Sequence, residues 1–83
     1  MKYEIEFKPR ALKDLKSIDK KDVKLIIGKI EEMKSGIDKA NIKKLTNFTP
    51  EYRLRVGNYR ILFEITDNII TIYTISHRKD AYR

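Results

Sequence analysis

Tyr52-Arg53-Leu54-Arg55-Val56-Gly57-Asn58-Tyr59-Arg60-Ile61-Leu62-Phe63-Glu64-Ile65-Thr66 decides how this chain folds. Apolar residues alternate with charged and polar ones on both sides of Gly57-Asn58, so two half-buried strands meet at a two-residue hairpin turn. Such a turn fixes the register: Val56 opposes Tyr59, Arg55 opposes Arg60 and Leu54 opposes Ile61. Asp67-Asn68 makes a second turn into Ile69–His77, with Thr66 expected opposite Ile69 and Ile61 opposite Thr74. One face then carries Tyr52, Leu54, Val56, Tyr59, Ile61, Phe63, Ile65, Ile70 and Ile72, and this is the core face. The other carries Arg53, Arg55, Arg60, Leu62, Glu64, Tyr73, Ile75 and His77.

Upstream, Tyr3, Ile5 and Phe7 alternate along a short strand. Pro9 suits the first turn of a helix that runs to about Ile18, with Leu12, Leu15 and Ile18 at three-residue spacing. Asp19 can cap a second helix whose apolar stripe is Val23, Ile26, Ile27, Ile30 and Met33, closed by Gly36. Residues 37–51 read mostly as loop, with a short extended piece at Ile42 to Leu45. The order β-α-α-β-β-β predicts a two-layer α+β fold, a helix hairpin packed on a mainly antiparallel sheet. No repeat or linker interrupts it, so residues 1–83 read as one domain.

The chain has no cysteine and one histidine, which argues against disulfides, thiol chemistry and a protein-only transition-metal site. No apolar run is long enough to span a membrane. Met1 leads straight into the first strand rather than into a signal peptide, so a cytoplasmic location is expected. The net charge of +7 favours nucleic acid or an acidic protein as partner.

That charge is unevenly composed. Residues 1–40 hold ten lysines against Arg10 alone, whereas five of the six arginines fall in the last 31 residues. Guanidinium grips phosphate as a flat two-pronged donor, while ammonium acts as a hydrated point charge. Arg55 directly across from Arg60 works against strand pairing, and Arg53 adds a third guanidinium to that face. A merely solvated sheet face leaves this clustering unexplained. His77, Arg78 and Tyr82 are the groups near the end of the chain able to move protons. A phenol titrates near 10, and surrounding cations favour the phenolate, so Tyr82 could act as a base. Without metal or cofactor, these groups suit phosphoryl transfer within RNA, where the ribose 2′-OH attacks the adjacent phosphorus and cations hold the added negative charge.

Three segments then match a known pattern: Ile42-Lys43-Lys44-Leu45, the stretch Tyr52 to Ile65, and the ending Ile75-Ser76-His77-Arg78-Lys79-Asp80-Ala81-Tyr82-Arg83. Together with Arg10-Ala11-Leu12-Lys13-Asp14-Leu15, they closely resemble the RelE toxins of the RelE/ParE superfamily. The resemblance implies a type II toxin that cleaves messenger RNA in the ribosomal A site. It also implies a monomeric toxin, held inactive in higher-order complexes by an acidic RelB-like antitoxin encoded beside it. Carried over by position, Arg53 and Arg55 hold the scissile phosphate region, and Arg60 stabilises the transition state. Arg78 sits near the leaving group, and Tyr82 is the general base. Lys43, Lys44, Lys79 and Arg83 are further RNA contacts, and His77 takes an auxiliary or positioning role. A ParE-like inhibitor of DNA gyrase that acts by binding is the alternative from another class. An RNA- or ribosome-binding module without activity is a third reading.

Overall fold

Period-two alternation builds a five-stranded sheet in this computed structural model, which describes residues 2–36, 42–45, 47 and 49–77. The strands are β1 (Glu4–Phe7), β2 (Ile42–Lys44), β3 (Tyr52–Val56), β4 (Tyr59–Thr66) and β5 (Ile69–His77). They lie in the order β1-β5-β4-β3-β2. β1 runs parallel to β5, and the other neighbouring pairs are antiparallel. The short extended piece expected at Ile42 is therefore a fifth strand, paired with β3 through Ile42↔Leu54, Lys43↔Arg53 and Lys44↔Tyr52.

Two helices, α1 (Pro9–Lys16) and α2 (Lys20–Glu32), cover one face. Pro9 opens α1, where its missing N–H costs nothing. The Asp19 carboxylate accepts the Lys21 N–H at the start of α2 (3.4 Å). α2 stops at Glu32, four residues short of Gly36, and a 3-10 turn over Met33–Ser35 follows. That tighter turn still buries Met33. No described helix is long and apolar enough to cross a membrane.

The phase of α1 differs from the expected Leu12, Leu15, Ile18 stripe. Leu12 is 49% exposed, and Ala11 is completely buried instead. The reason lies three residues on, at Asp14, which has to face β5. β1 ends at Phe7, opposite Ile72, so beyond that point the outer edge of β5 has no neighbouring strand. Lys8 N–H reaches the Ile72 carbonyl (2.8 Å), and the Asp14 carboxylate then accepts the Ile75 N–H (2.9 Å). A helix side chain thus satisfies a backbone donor that the missing strand leaves open. The other oxygen of Asp14 accepts from Arg10 Nε (3.2 Å).

The hairpin register around Gly57-Asn58 is as expected, with Arg55 opposite Arg60 and Leu54 opposite Ile61. Gly57 takes the positive φ (+57°) that this turn requires, and Asp67 does the same in the second turn (+56°). Thr66 does oppose Ile69, but the register shifts between Leu62 and Phe63. Phe63 opposes Ile72 and Leu62 opposes Thr74, which leaves Tyr73 as an extra residue, so Ile61 faces Ile75 rather than Thr74. This bulge moves Ile75 and His77 from the arginine face, where plain alternation placed them, to the helix-covered face. Ile75 is 3% exposed there and joins Ile26, Ile30, Met33, Leu54, Ile61, Phe63, Ile70 and Ile72 in the core. Burying its side chain is worth about 1.5–3 kcal/mol, more than one irregular ladder step costs.

On the same face the Tyr52 and Phe63 rings, opposite in register, stack at 5.5 Å. The Tyr59 phenol donates to Asp22 of α2 (2.8 Å), latching the hairpin to the helix layer. That hydrogen bond, then burial, then the Asp22 and Asp19 charges raise the Tyr59 pKa above the usual value of 10.

Asp14→Ala should lower the unfolding free energy by about 1–3 kcal/mol, the cost of stranding a half-buried donor, as read from urea titrations. Asp14→Asn, which keeps an acceptor oxygen, should recover most of that loss. Tyr59→Phe should cost about 0.5–1.5 kcal/mol near neutral pH. A raised folded-state pKa gives stability that is complete below the unfolded value near 10 and disappears as pH climbs through the folded value. The variant should therefore show a shallower alkaline loss in a pH series of urea midpoints.

Candidate functional site

The second face of the sheet, which no described helix or strand covers, places the expected cations by register. In one row across the strands lie Lys43, Arg53, Leu62 and Thr74; in the next, towards the turn, lie Arg55, Arg60 and Ser76. Arg55 is exposed, whereas Arg53 and Arg60 are half-buried, and the Arg53 Nε is buried from solvent. At ~6 Å two like charges repel by about 0.7 kcal/mol in water's dielectric and by about 3 kcal/mol at an effective value of 20. The strands therefore hold these side chains together against their own repulsion, and three guanidiniums and an ammonium present donors to one side. A phosphodiester is the ligand such a set suits.

Two expected placements change, those of His77 and Ile75. His77 pairs in register with Tyr59 and stands on the helix side, its ring edge-on to the Tyr59 ring at 5.2 Å. There it lines a cavity of about 180 Å³ with Asp22, Leu25, Ile26, Val56, Asn58 and Tyr59, across the sheet from the arginines. The Tyr73 bulge is the cause, since one extra residue inverts every later side chain in β5. Lys44 also falls on the helix-side parity, opposite Tyr52, with its ammonium 4.0 Å from Glu51. Of the two adjacent lysines, only Lys43 joins the arginine face. Ser76 and Thr74 take the places beside Arg60 and Leu62 that plain alternation gave to Ile75 and Tyr73. The signal was present in the sequence: Ile70, Ile72 and Ile75 break the spacing of two, and a bulge restores all three to the core.

Glu64 does not offset the arginines. It pairs with Thr71, and its Oε2 accepts the Tyr73 phenol (3.0 Å). That hydrogen bond, with burial and the Glu64 charge behind it, raises the Tyr73 pKa. Tyr59 and Tyr73 are thus both pushed towards the protonated form, the reverse of what a general base needs. Among the described residues no group of His, Cys, Asp and Glu side chains could hold a metal ion. Arg78, Lys79, Tyr82 and Arg83 lie outside the described residues.

Comparison with known proteins places this geometry. A family model described as the ParE toxin of the type II toxin–antitoxin system parDE matches residues 5–82. Toxin RelE3 of Methanocaldococcus jannaschii is 39% identical over 80 residues, which cover 92% of this chain and 91% of that protein. Among solved structures, the RelB–RelE antitoxin–toxin complex from Methanococcus jannaschii superposes with a TM-score of 0.79 at 34% identity, over 93% of this chain and 94% of that one. The YoeB dimer from Staphylococcus aureus follows the same fold, with a TM-score of 0.70 at 30% identity over 93% and 98% of the two chains. Matched from its first strand almost to its last residue, and sharing more than a third of its residues with a RelE toxin, the chain belongs to the RelE/ParE family of type II toxins.

Proposed function

We propose that this toxin is a metal-independent endoribonuclease that cuts messenger RNA in the A site of the translating ribosome. The observation that carries the reading is the opposed Arg55–Arg60 pair, with Arg53 and Lys43 on the same uncovered face. A sheet keeps such an arrangement at a cost in stability, and a phosphate that gains charge during reaction is what repays it. In the reaction the ribose 2′-oxygen forms a bond to the adjacent phosphorus, and the bond from phosphorus to the 5′-oxygen breaks, leaving a cyclic phosphate. Arg53 and Arg55 orient the phosphate, and Arg60 holds the negative charge of the pentacoordinate state. Tyr82, as phenolate, takes the 2′-OH proton, and Arg78 supports the negative charge of the departing 5′-oxygen, which takes its proton from water. Lys43, Lys79 and Arg83 are RNA contacts, with Lys44 more peripheral. His77, across the sheet, serves to position the hairpin through Tyr59 rather than to move protons.

The partner is an acidic antitoxin. A RelB–RelE complex is among the solved relatives, and a chain of net charge +7 has the complementary sign for such a protein. Both partner and substrate place the toxin in the cytoplasm. Binding to DNA gyrase without nuclease chemistry is the second reading, favoured by the ParE description of the matching family model.

Primer extension on a translated message after induction tests the first reading. Arg60→Ala should reduce cleavage by two orders of magnitude or more, at unchanged or slightly raised stability because a repelling pair is lost. Tyr82→Phe should remove most cleavage and leave antitoxin binding intact, whereas His77→Ala should cost much less. An intact transcript accompanied by induction of the DNA-damage response would replace the nuclease with the gyrase inhibitor. Co-expression of the adjacent acidic reading frame should restore growth.

A further inference from the structure

The uncovered face is not uniformly cationic. Its far row runs Glu6, Thr71, Glu64 across β1, β5 and β4, the reverse sign of the Arg55–Arg60 row. Between the two lie an apolar side chain and an aromatic one: half-buried Leu62 on β4 and half-buried Tyr73, the extra residue of the bulge. Plain alternation gives Tyr73 the same face, and the bulge leaves it there without a cross-strand partner. The Tyr73 ring is held from two sides, by its hydroxyl donating to Glu64 Oε2 (3.0 Å) and by Lys8 Nζ at 5.4 Å from the ring centroid. Its orientation is therefore set before any ligand arrives. Glu64 Oε2 carries that bond, and Oε1 is left for a second donor.

Single-stranded nucleic acid binds where a cationic track meets an aromatic side chain that can take a base face. We infer that Tyr73 and Leu62 form a nucleobase seat beside the phosphate-binding arginines, and that Glu64 reads the edge of the seated base. This rests on the proposed reading of the arginine face as an RNA site. A carboxylate aimed at position 4 of a pyrimidine accepts from the exocyclic amino group of cytosine, whereas uracil presents its O4 carbonyl oxygen at that position and is repelled. The seat accordingly favours an amino-bearing base over uracil. The acidic row beyond it turns the phosphate backbone away, so the strand leaves the sheet at this point.

The test uses the purified full chain and 2′-O-methyl oligonucleotides, which cannot be cleaved, with oligo(C) and oligo(U) compared by fluorescence anisotropy. These bases are alike in size and differ at the edge that Glu64 would read. Wild type should bind oligo(C) about fivefold more tightly or better, and Glu64→Gln, whose amide both donates and accepts, should bring the ratio near one. Tyr73→Ala should weaken both oligonucleotides roughly tenfold, and Tyr73→Phe should retain affinity for both. Arg60→Ala should weaken both equally and flatten the salt dependence. A circular dichroism spectrum and urea midpoint for each variant keep loss of fold apart from loss of binding. A wild-type C-to-U ratio of one, or unchanged binding by folded Tyr73→Ala, overturns the seat. Cleavage on translating ribosomes is scored separately. Absent cleavage with the expected binding pattern would overturn the nuclease reading alone, and normal cleavage with Tyr73→Ala binding like wild type would overturn the seat alone.

Discussion

The pairing of β4 with β5 is the constraint from which the rest of the molecule is built. β5 is the longest strand, contacts β1 on one side and β4 on the other, and carries α1 across its outer edge. A strand with Ile70, Ile72 and Ile75 cannot present all three to one side by strict alternation. The register shift at Leu62 and Phe63 resolves the conflict by leaving Tyr73 unpaired, which brings Ile75 against Ile61 in the core. Three consequences follow from that one step. His77 is carried to the helix side, Ser76 is placed beside Arg60, and the Tyr73 ring is left on the outer face without a cross-strand partner.

The electrostatic cost of the arginine face is met by its reverse side. Arg55 and Arg60 sit at the end of a hairpin that repulsion would splay, and no described helix or strand covers that face. Beneath them Val56 is buried, Tyr59 is bonded to Asp22, and the Tyr52 and Phe63 rings stack. Repulsion of about 1–3 kcal/mol is comparable to what one such buried contact supplies, so packing on the helix side is enough to offset it. Stability at this hairpin resides on one face and the clustered arginines lie on the other.

How far the fold could be read in advance follows from which signals are local. Gly57-Asn58 and Asp67-Asn68 set the turns, and with them the Arg55–Arg60 opposition, because a two-residue turn leaves no freedom in register. Pro9 and Asp19 likewise marked the starts of both helices. The misplacements of Ile75, His77 and Leu12 have a non-local origin. The bulge is set by which isoleucines the helices cover, and the phase of α1 by a backbone donor on β5, 61 residues away from Asp14. The parallel pairing of β1 also depends on a strand some sixty residues later, and no turn motif announces it. Of the site, the strand cations were legible by alternation. The side of the sheet taken by His77 and Lys44 depended on pairings that only the folded chain displays.

β4 shows how the two faces divide the work residue by residue. Tyr59, Ile61 and Phe63 serve the helix layer, through a latch, a core contact and a ring stack. Arg60, Leu62 and Glu64, interleaved with them, give the uncovered face its sequence of cation, apolar step and carboxylate. Because neighbouring residues point to opposite sides, a change at one of the outer three leaves the packing beneath it almost untouched. Mutations on the two faces should then combine nearly additively, as they do for side chains that share no partner. The exception is Tyr73, which stands unpaired on the outer face because Ile75 claims the inner one. Any substitution that releases Ile75 from the core also frees β5 to lose its bulge, and Tyr73 would then pair with Leu62 in the ladder instead of standing outside it.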